Sequence, residues 1–434
     1  MYATGGQLSI NDPHATSVNL APVFKGGTHD LAVARLGWKW AISPKILLDA
    51  RGAFVRTSSD YDVIVNSERR LDREWSLGTN VSWSWRHGAV LQGGYTLRRP
   101  HVNFSELIRQ PPPPFFFGTR VSDVRQDFYA QNSVQLWRDR IRLQGGLRRN
   151  KLNTAKGQPI TGQFSASYRA ATNTTLEAGW GRYGQLPARG GIAGGFQTSA
   201  GEVLFGYPPY MSSQYIVAVE QRIGERTRFR IEAFDRQNES HIDFFTQQGP
   251  PGQQVTTPLA LSALSARDHS RGLQILLQRR SENRLSGWIG YTFLQARSRS
   301  YQITLPLPFS IATMDSPYAP TQSDQPHTVN IFGTYRLTPS IRLSAKALYG
   351  SGFPVIGVTP PLRIGPYQRL DLRADKSWTF KRWKLSLYTE LLNATGHNNR
   401  RFEAYAMDPA THQTFLYTNP GFPTLPTAGL GFDF

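Results

Sequence analysis

The stretch that decides the fold is residues 367–393, YQRLDLRADKSWTFKRWKLSLYTELLN. Its first half alternates charged residues with leucine and alanine, and its second half alternates polar residues with tryptophan and leucine. Side chains on a β-strand point to opposite faces with a period of two, so each half has one polar and one apolar face. The short link near residues 379–382 predicts a β-hairpin. The charged residues of the polar face are Arg369, Asp371, Arg373, Asp375, Lys384 and Glu390.

The same unit recurs along the chain. Seven further pairs of alternating segments are each joined by a short turn, and one last alternating run stands alone. The pairs span residues 32–54, 75–97, 126–149, 162–183, 213–237, 272–295 and 327–350, and the last run spans 428–434. Eight hairpins and a final strand predict about 17 strands, and residues 1–10 add part of one more.

Long connections rich in Gly, Pro, Ser and aromatic residues separate the hairpins. They span residues 58–71, 99–123, 184–211, 238–268, 297–325, 352–366 and 395–427. A compact soluble domain rarely carries so many long loops, whereas long loops at one end and tight turns at the other are typical of outer-membrane barrels. We therefore predict an all-β, antiparallel transmembrane outer-membrane β-barrel with short periplasmic turns and long extracellular loops. The alternative, a soluble propeller or solenoid, lacks a visible 40–50-residue repeat.

The composition excludes several classes of function for this chain. The chain carries 49 Lys and Arg against 30 Asp and Glu, a net charge of +19, but these residues are dispersed, so we expect no nucleic-acid partner. No run approaches the roughly 18 apolar residues that a spanning helix requires. The nine histidines show no metal-ligand spacing, and no G-x-S-x-G motif occurs. We expect no metal site, no cofactor and no catalytic residues; the ligand-binding residues are unknown.

Tryptophan recurs where the apolar faces approach the short turns. This placement suits an aromatic girdle at a membrane–water interface. The predicted girdle consists of Trp38, Trp40, Trp83, Trp85, Trp137, Trp378 and Trp383.

Several short motifs in the last third add a resemblance. Residues 323–327 (SDQPH), 349–354 (YGSGFP), 367–373 (YQRLDLR), 391–395 (LLNAT) and the terminal run 429–434 follow in order. Together they resemble the C-terminal transmembrane β-barrel of TonB-dependent receptors. The terminal residues Leu430, Phe432 and Phe434 also resemble the signal that delivers such barrels to the outer-membrane assembly machinery.

The resemblance implies a 22-strand barrel with a plugged lumen, of which about 17–18 strands are present here. We expect residues 1–434 to form a single β-barrel domain without a plug domain, with a partial strand and loop in 1–28 and strands and loops in 29–434. The charged residues on the polar face of residues 367–393 would then face the lumen.

The implied function is an outer-membrane receptor that binds and imports a large or scarce solute. The energy-coupling TonB complex would be a partner only if a plug is supplied. Outer-membrane lipid and lipopolysaccharide would surround the barrel, in the bacterial outer membrane. A passive porin-like channel, or a non-transporting surface-binding protein, is the alternative from the residues alone.

Overall fold

A computed structural model describes most of the chain. The described residues are 2–11, 24–63, 66–108, 115–152, 159–185, 194–198, 201–206, 210–247, 259–280, 284–305, 312–355, 362–399, 403–407, 414–418 and 423–433. Within these ranges the regular structure consists of β-strands, and no helix occurs. A helix long and apolar enough to cross a membrane is accordingly not found in the described part.

The strands vary widely in length. In chain order they are β1 (Tyr2–Asn11), β2 (Phe24–Ser43), β3 (Ile46–Val63), β4 (Asn66–Arg86), β5 (Ala89–Ile108), β6 (Phe115–Ser122), β7 (Arg125–Leu136), β8 (Ile141–Leu152), β9 (Ile160–Arg169), β10 (Thr174–Gln185), β11 (Gly194–Thr198), β12 (Gly201–Gly206), β13 (Tyr210–Ile223), β14 (Thr227–Gln247), β15 (Leu259–Arg279), β16 (Leu285–Leu305), β17 (Ala312–Asp315), β18 (Ala319–Pro320), β19 (His327–Thr338), β20 (Ile341–Gly350), β21 (Tyr367–Thr379), β22 (Lys384–Leu392), β23 (Glu403–Met407), β24 (Thr414–Thr418) and β25 (Leu425–Asp433).

Twenty-three of these strands form one sheet, and β23 and β24 form a separate pair. The large sheet is an up-and-down series in which each strand pairs antiparallel with the next. Among the described residues this series contains eighteen strands, namely β1–β5, β7–β10, β13–β16, β19–β22 and β25. Five short strands lie at the end of the series away from the short turns, which we call the long-hairpin end. They are β6, β11, β12, β17 and β18. The all-β antiparallel prediction and the estimate of 17–18 strands are therefore confirmed.

Seven of the eight predicted short turns lie within the described residues, where the alternation predicts them; the eighth, between β15 and β16, includes residues 281–283, which lie outside them. The hairpin that opened the sequence pairs Thr379 with Lys384 next to its turn and continues to Leu372 opposite Leu391. Because consecutive strands run antiparallel, these eight turns lie at one end of the series. The longer connections lie at the other end, as in an outer-membrane barrel.

The two faces of the sheet have the polarity opposite to that of a soluble protein. Large apolar side chains are highly exposed, with Leu36 at 65% and Leu77 at 63%. The buried side chains include polar ones, such as Asp127 and Asn150, each 7% exposed. In a soluble domain the apolar side chains would be the buried ones. This pattern is expected when lipid contacts the apolar face and the polar face lines the interior.

The strands are longer than predicted. Four of them, β4, β14, β15 and β16, have 21 residues each, about twice the 9–11 that cross a bilayer. The prediction of loops over residues 58–71, 99–123, 238–268 and 297–325 is correspondingly wrong over much of their length. For example, β3 continues to Val63 and β4 begins at Asn66.

For β3 and β4 the physical reason is that the extensions leave the lipid and lose their apolar face, while the backbone ladder continues. Polar side-chain pairs between the two strands stabilise the paired backbone in these extensions. Arg69 Nε donates to Asp60 Oδ2 over 3.0 Å between β4 and β3. Apolar alternation in the sequence ends where lipid contact ends, although the strand continues. The sequence pattern therefore underestimates the length of the strand.

We predict that the two faces of β9 tolerate charge differently. Phe164, 49% exposed, lies midway along the strand on the apolar face, and its neighbour Ser165 lies on the polar face. We expect Phe164→Arg to lower the free energy of unfolding by about 2–4 kcal/mol, because a cation at the bilayer midplane is poorly solvated. Ser165→Arg, the matched control, is expected to have a much smaller effect. Urea titration of the chain in lipid vesicles measures both, and equal losses would contradict the assignment of the faces.

Candidate functional site

The charged stripe of residues 369–375 lies on β21 as two consecutive ion pairs. Arg369 Nε donates to Asp371 Oδ1 over 2.7 Å, and Arg373 Nη2 donates to Asp375 Oδ1 over 2.7 Å. The Arg373 guanidinium also lies 4.2 Å from the ring centroid of Tyr388 on β22. Each arginine therefore has a carboxylate two residues along its own strand, which neutralises the stripe and fixes its side chains.

The two remaining charged candidates lie at different heights. Glu390 lies directly opposite Arg373 in the strand register, so it extends the charged stripe onto β22. Its carboxylate also accepts a hydrogen bond of 3.4 Å from the Thr427 hydroxyl. Lys384 is exposed beside the short turn, opposite Asp433. That this stripe faces the lumen stays a prediction.

The strand after this stripe ends in a buried polar corner. Asn393 is fully buried, with φ of 49°, a left-handed conformation that asparagine adopts more readily than most residues. Its backbone N–H donates to Asp371 Oδ1 over 2.9 Å, and its side-chain amide donates to the His397 carbonyl over 3.1 Å. Asn399 Oδ1 accepts from the Gln368 N–H over 2.7 Å. The LLNAT motif is therefore a structural corner that fixes Asp371.

A second buried carboxylate fastens the long-hairpin end. Asp324, 4% exposed, accepts a 2.7 Å hydrogen bond from the Ala296 N–H through Oδ1. Arg363 pairs with the other carboxylate oxygen through Nη2. Its Nη1 donates to the Asp324 carbonyl over 2.7 Å and to the Gly352 carbonyl over 3.0 Å. A Cβ at residue 352 would lie 1.6 Å from the Ile364 carbonyl oxygen, so this approach requires glycine. We call this cluster the Asp324–Arg363 clasp.

The SDQPH and YGSGFP motifs meet at this clasp. Ser351 N–H donates to the His327 carbonyl over 2.8 Å, and His327 N–H donates to Ser351 Oγ over 3.0 Å. Gln325 lies against Gly350, and its Oε1 accepts a 3.2 Å bond from the Thr328 hydroxyl. These residues therefore fix the start of β19 and the exit of β20 rather than forming a ligand cavity.

The structure also shows a charged cluster that the sequence reasoning missed. Arg230 on β14 lies 2.6 Å from Glu177 on β10 and 2.8 Å from Glu232 on its own strand. Glu220 on β13 lies 3.8 Å away. Glu177 and Arg230 are 53 residues apart, so only the strand register joins them. In the sequence, the signal that could have predicted this cluster is the recurrence of charged residues at every second position along the polar face.

Another part of the polar face is uncharged. Tyr129 Oη donates to Asn80 Oδ1 over 2.8 Å, so its side chain reaches from β7 across β5 to β4. Next to it, Gln131 Nε2 donates to Gln92 Oε1 over 2.6 Å, and Gln92 Nε2 donates to Ser82 Oγ over 3.2 Å. These amides and hydroxyls form a neutral hydrogen-bonded ladder.

Glycine permits the ladder, and a cavity adjoins it. A Cβ at residue 94 would lie 2.3 Å from Tyr129 Cε1, so the tyrosine ring crosses β5 only because residue 94 is glycine. A cavity of about 280 Å³ lies beside the ring, and its lining includes Gln131, Arg148 and Thr161. The polar face thus has a neutral ladder on β4, β5 and β7, next to the Arg98–Asp127–Arg148 charges, and charged clusters on β10–β14 and β21–β22.

The predicted girdle residues lie near the short turns, as expected. Trp38 and Trp40 stack with ring centroids 5.7 Å apart, and Trp383 stacks on Phe380 at 4.1 Å. Six of the seven are classed among the exposed large apolar side chains, namely Trp38, Trp40, Trp83, Trp85, Trp137 and Trp378, whereas Trp383 is half-buried. Their role as a membrane girdle stays a prediction.

The closing strand β25 presents its apolar residues outward. Leu430 is 64% exposed and Phe432 is 55% exposed, opposite Leu387 and Leu385 of β22. Phe434 lies outside the described residues. Two of the three residues of the proposed assembly signal thus lie on an exposed apolar strand; recognition of this signal by the assembly machinery stays a prediction.

Groups of acidic, histidine or cysteine side chains that could hold a metal ion are not found in the described part of the chain.

At the long-hairpin end, Arg299 on β16 pairs with Asp315 on β17, with Nε to Oδ1 at 3.0 Å. Hydrogen bonds from Arg299 hold the pKa of Asp315 below its usual value.

Comparison with protein families gives a match over residues 7–393, to the family described as TonB dependent receptor-like, beta-barrel. The match covers most of the chain, including the strands from β2 to β22. The chain belongs to this family. The resemblance based on its motifs is therefore confirmed. Members of the family are transporters of the bacterial outer membrane rather than enzymes.

Solved structures of TonB-dependent receptors share the fold. The ferric-catecholate import receptor Fiu from E. coli K12, in its closed form, superposes with a TM-score of 0.63 at 12% identity, over 94% of this chain and 64% of that one. BauA, the ferric preacinetobactin receptor from Acinetobacter baumannii, gives 0.63 at 12%, over 94% and 63%.

The ferric citrate transporter FecA, unliganded, gives 0.62 at 11%, over 95% and 63%. The chain thus spans just under two thirds of the length of these receptors. Comparison with curated protein sequences finds no match. At these identities the similarity shows the TonB-dependent receptor barrel fold alone.

We predict that breaking the Asp324–Arg363 clasp destabilises the barrel. Arg363→Gln leaves the buried Asp324 carboxylate without its cationic partner, and we expect a loss of about 2–3 kcal/mol in unfolding free energy. Arg299→Gln breaks an ion pair that is open to solvent, so as the matched control it should leave the global stability unchanged. Urea titration in detergent compares the two variants, and a silent Arg363→Gln would contradict the clasp.

The lowered pKa of Asp315 predicts a local response to acid. The Arg299–Asp315 pair stabilises the β16–β17 contact above the ordinary carboxyl pKa of about 3.9, and this contribution is lost as pH falls through the lowered value. Amide hydrogen exchange over residues 312–320, corrected for intrinsic rates, should therefore accelerate between about pH 5 and pH 2. Asp315→Asn should exchange fast throughout; a wild-type profile without this acid-dependent step would refute the pairing.

Proposed function

We propose that this chain forms the barrel wall of an outer-membrane receptor that binds a large or scarce solute at the cell surface and imports it. Family membership carries the proposal, because a match over residues 7–393 covers nearly the whole strand series. The three solved structures compared above are of proteins for ferric chelates, which are large, scarce solutes of this kind.

The geometry of the polar face supports passage of a solute along the barrel interior. Its charges include close ion pairs, such as the Arg373–Asp375 and Arg230–Glu232 bridges. Paired charges keep a polar wall hydrated without creating a strong single-sign field that would trap an ionic solute. The neutral Tyr129–Asn80 ladder adds amide and hydroxyl groups, which interact with polar solutes of either charge.

The long hairpins support binding outside the membrane. The strands β4 and β14–β16 continue for about ten residues beyond the length that crosses a bilayer. In outer-membrane barrels the short turns face the periplasm and the longer connections face the exterior. These extensions therefore place ordered surface where an arriving solute first meets the protein.

The proposal includes a location and partners. The chain resides in the bacterial outer membrane, with lipid and lipopolysaccharide around the apolar face. The assembly machinery recognises the closing strand through Leu430, Phe432 and Phe434. Residues 1–434 act as one barrel domain, with the paired charges of β21 and β22 on the lumen wall and the seven tryptophans as the girdle. The TonB complex drives import when a plug is supplied. The chain itself carries no enzymatic step.

The decisive experiment measures solute uptake in cells that produce the barrel together with a plug domain. We expect surface binding of the cognate solute in all cells, and accumulation inside only when the inner-membrane energy-coupling complex is present. A panel of ferric chelates and other large, scarce nutrients serves as the set of probes.

Planar-bilayer conductance of the purified chain is the companion measurement. We expect a wide, constitutive pore from the chain alone and its closure when the plug domain is added. Uptake that does not depend on the coupling complex, with conductance that a plug does not alter, would refute the receptor proposal and indicate a passive channel.

A further inference from the structure

A cluster of exposed arginines lies on the apolar face of the first long hairpins. The register of β2–β5 arranges this face in successive rows, each about 7 Å from the next because two residues separate them. Moving away from the short turns, the rows contain Leu36, Gly52, Leu77 and Leu97, then Ala34, Phe54, Trp75 and Arg99, then Ala32, Arg56, Arg73 and His101. The face thus changes from aliphatic to aromatic to cationic within three rows.

The arginines in this row repel one another. Arg56 lies directly opposite Arg73 in the register, and Arg73 lies directly opposite His101. Arg99 lies one row below, diagonal to Arg73. All three guanidinium side chains are exposed, and within the described residues none of the three forms an ion pair. Like charges directly opposite each other destabilise a sheet, so this arrangement carries an electrostatic cost.

Several basic residues on the same face have acidic partners. Two rows further out on the same strands, Arg69 pairs with Asp60 at 3.0 Å. Across the sheet, Arg267 lies 3.9 Å from Glu239, and His269 lies 2.8 Å from Asp235. The Arg56–Arg73–Arg99 cluster lacks such acidic partners among the described residues, so its three guanidinium groups are available to an external anion.

An apolar groove lies on the same face, nearer to the short turns than the arginine cluster. Its volume is about 460 Å³, and it exists because the small residues Ala50 and Gly52 lie between larger neighbours. The walls include Leu36, Trp38, Leu77 and Leu97. Between the groove and the arginines, Phe54 and Trp75 pack with ring centroids 4.4 Å apart. Such rings prefer the membrane–water interface, which places the arginines at the level of lipid headgroups.

We propose that this surface is a binding site for lipopolysaccharide, with its phosphates on Arg56, Arg73 and Arg99 and an acyl chain in the groove below. Guanidinium groups bind phosphate oxygens through paired hydrogen bonds, and the groove and the cluster lie within about 14 Å of each other, two rows apart. The long-hairpin end faces the outer leaflet, whose anionic lipid is lipopolysaccharide. The inference rests on the proposed membrane placement and adds a specific lipid site to it.

The test compares the triple variant R56Q/R73Q/R99Q with Arg69→Gln. Arg69 has the same strands and face but is already paired with Asp60, so it is the matched control. We expect native mass spectrometry of the purified, detergent-solubilised chain to show at least a tenfold loss of lipopolysaccharide affinity in the triple variant and less than a twofold change in Arg69→Gln. Gly52→Leu, which fills the groove, should also weaken binding. Unchanged affinity in the triple variant would overturn the proposal.

The thermal stability of the Arg73→Gln variant provides a second readout. The difference in melting temperature between variant and wild type should change sign when lipopolysaccharide is added. In neutral detergent the variant relieves repulsion between Arg56 and Arg73, so we expect its melting temperature to rise above wild type. With lipopolysaccharide added, wild type should gain more and become the more stable of the two. A variant that is less stable in both conditions would indicate a merely structural role and overturn the proposal.

Competing ligands separate lipopolysaccharide from simpler phosphates. Inorganic phosphate and phosphatidylglycerol vesicles are expected to compete weakly, and equal competition by either would refute lipopolysaccharide as the occupant. Heat-modifiability on gels checks that each variant is a folded barrel. If the wild-type chain were not heat-modifiable, the membrane placement and hence the proposed function would fail. If the variants fold, import solute normally and still bind lipopolysaccharide, only this inference fails.

Discussion

The backbone hydrogen-bond ladder is the constraint on which this structure depends. In lipid, N–H and C=O groups that lack partners are costly, so strands must satisfy one another. The up-and-down series does this from β1 to β25 by antiparallel pairing of each strand with the next. Once the ladder is fixed, side chains can only alternate between two faces. The apolar face, the paired polar face and the rows of the exterior all follow from that alternation.

The sequence predicts the parts of the fold that repeat and depend on local chemistry. Alternation around Phe164 or Leu77 reveals a strand because lipid demands an apolar side chain at every second position. Turns such as His87–Gly88 break the pattern visibly. Where lipid contact ends, as beyond Trp75, polar residues fill both faces and the pattern disappears although β4 continues toward Asn66. Strand length outside the membrane was therefore underestimated.

The polar clusters were only partly visible for a related reason. Arg369–Asp371 and Arg373–Asp375 lie two residues apart on one strand, so alternation alone brings them together. Arg363 reaches Asp324 across 39 residues, and Arg230 reaches Glu177 across 53. Such contacts depend on register between distant strands. The SDQPH and YGSGFP motifs identified the family, and the structure explains their chemistry as the fastening of β19 and β20.

The length of the hairpins has a consequence for how a solute would be captured. An irregular loop must lose conformational freedom when it closes on a ligand, at about 0.5–1.5 kcal/mol for each side chain that becomes fixed. Here β14 and β15 remain paired from Thr227 opposite Arg279 to Gln247 opposite Leu259. Their outer segments are ordered before any encounter. Recognition at this end therefore resembles docking onto a preformed backbone scaffold rather than capture by a closing loop.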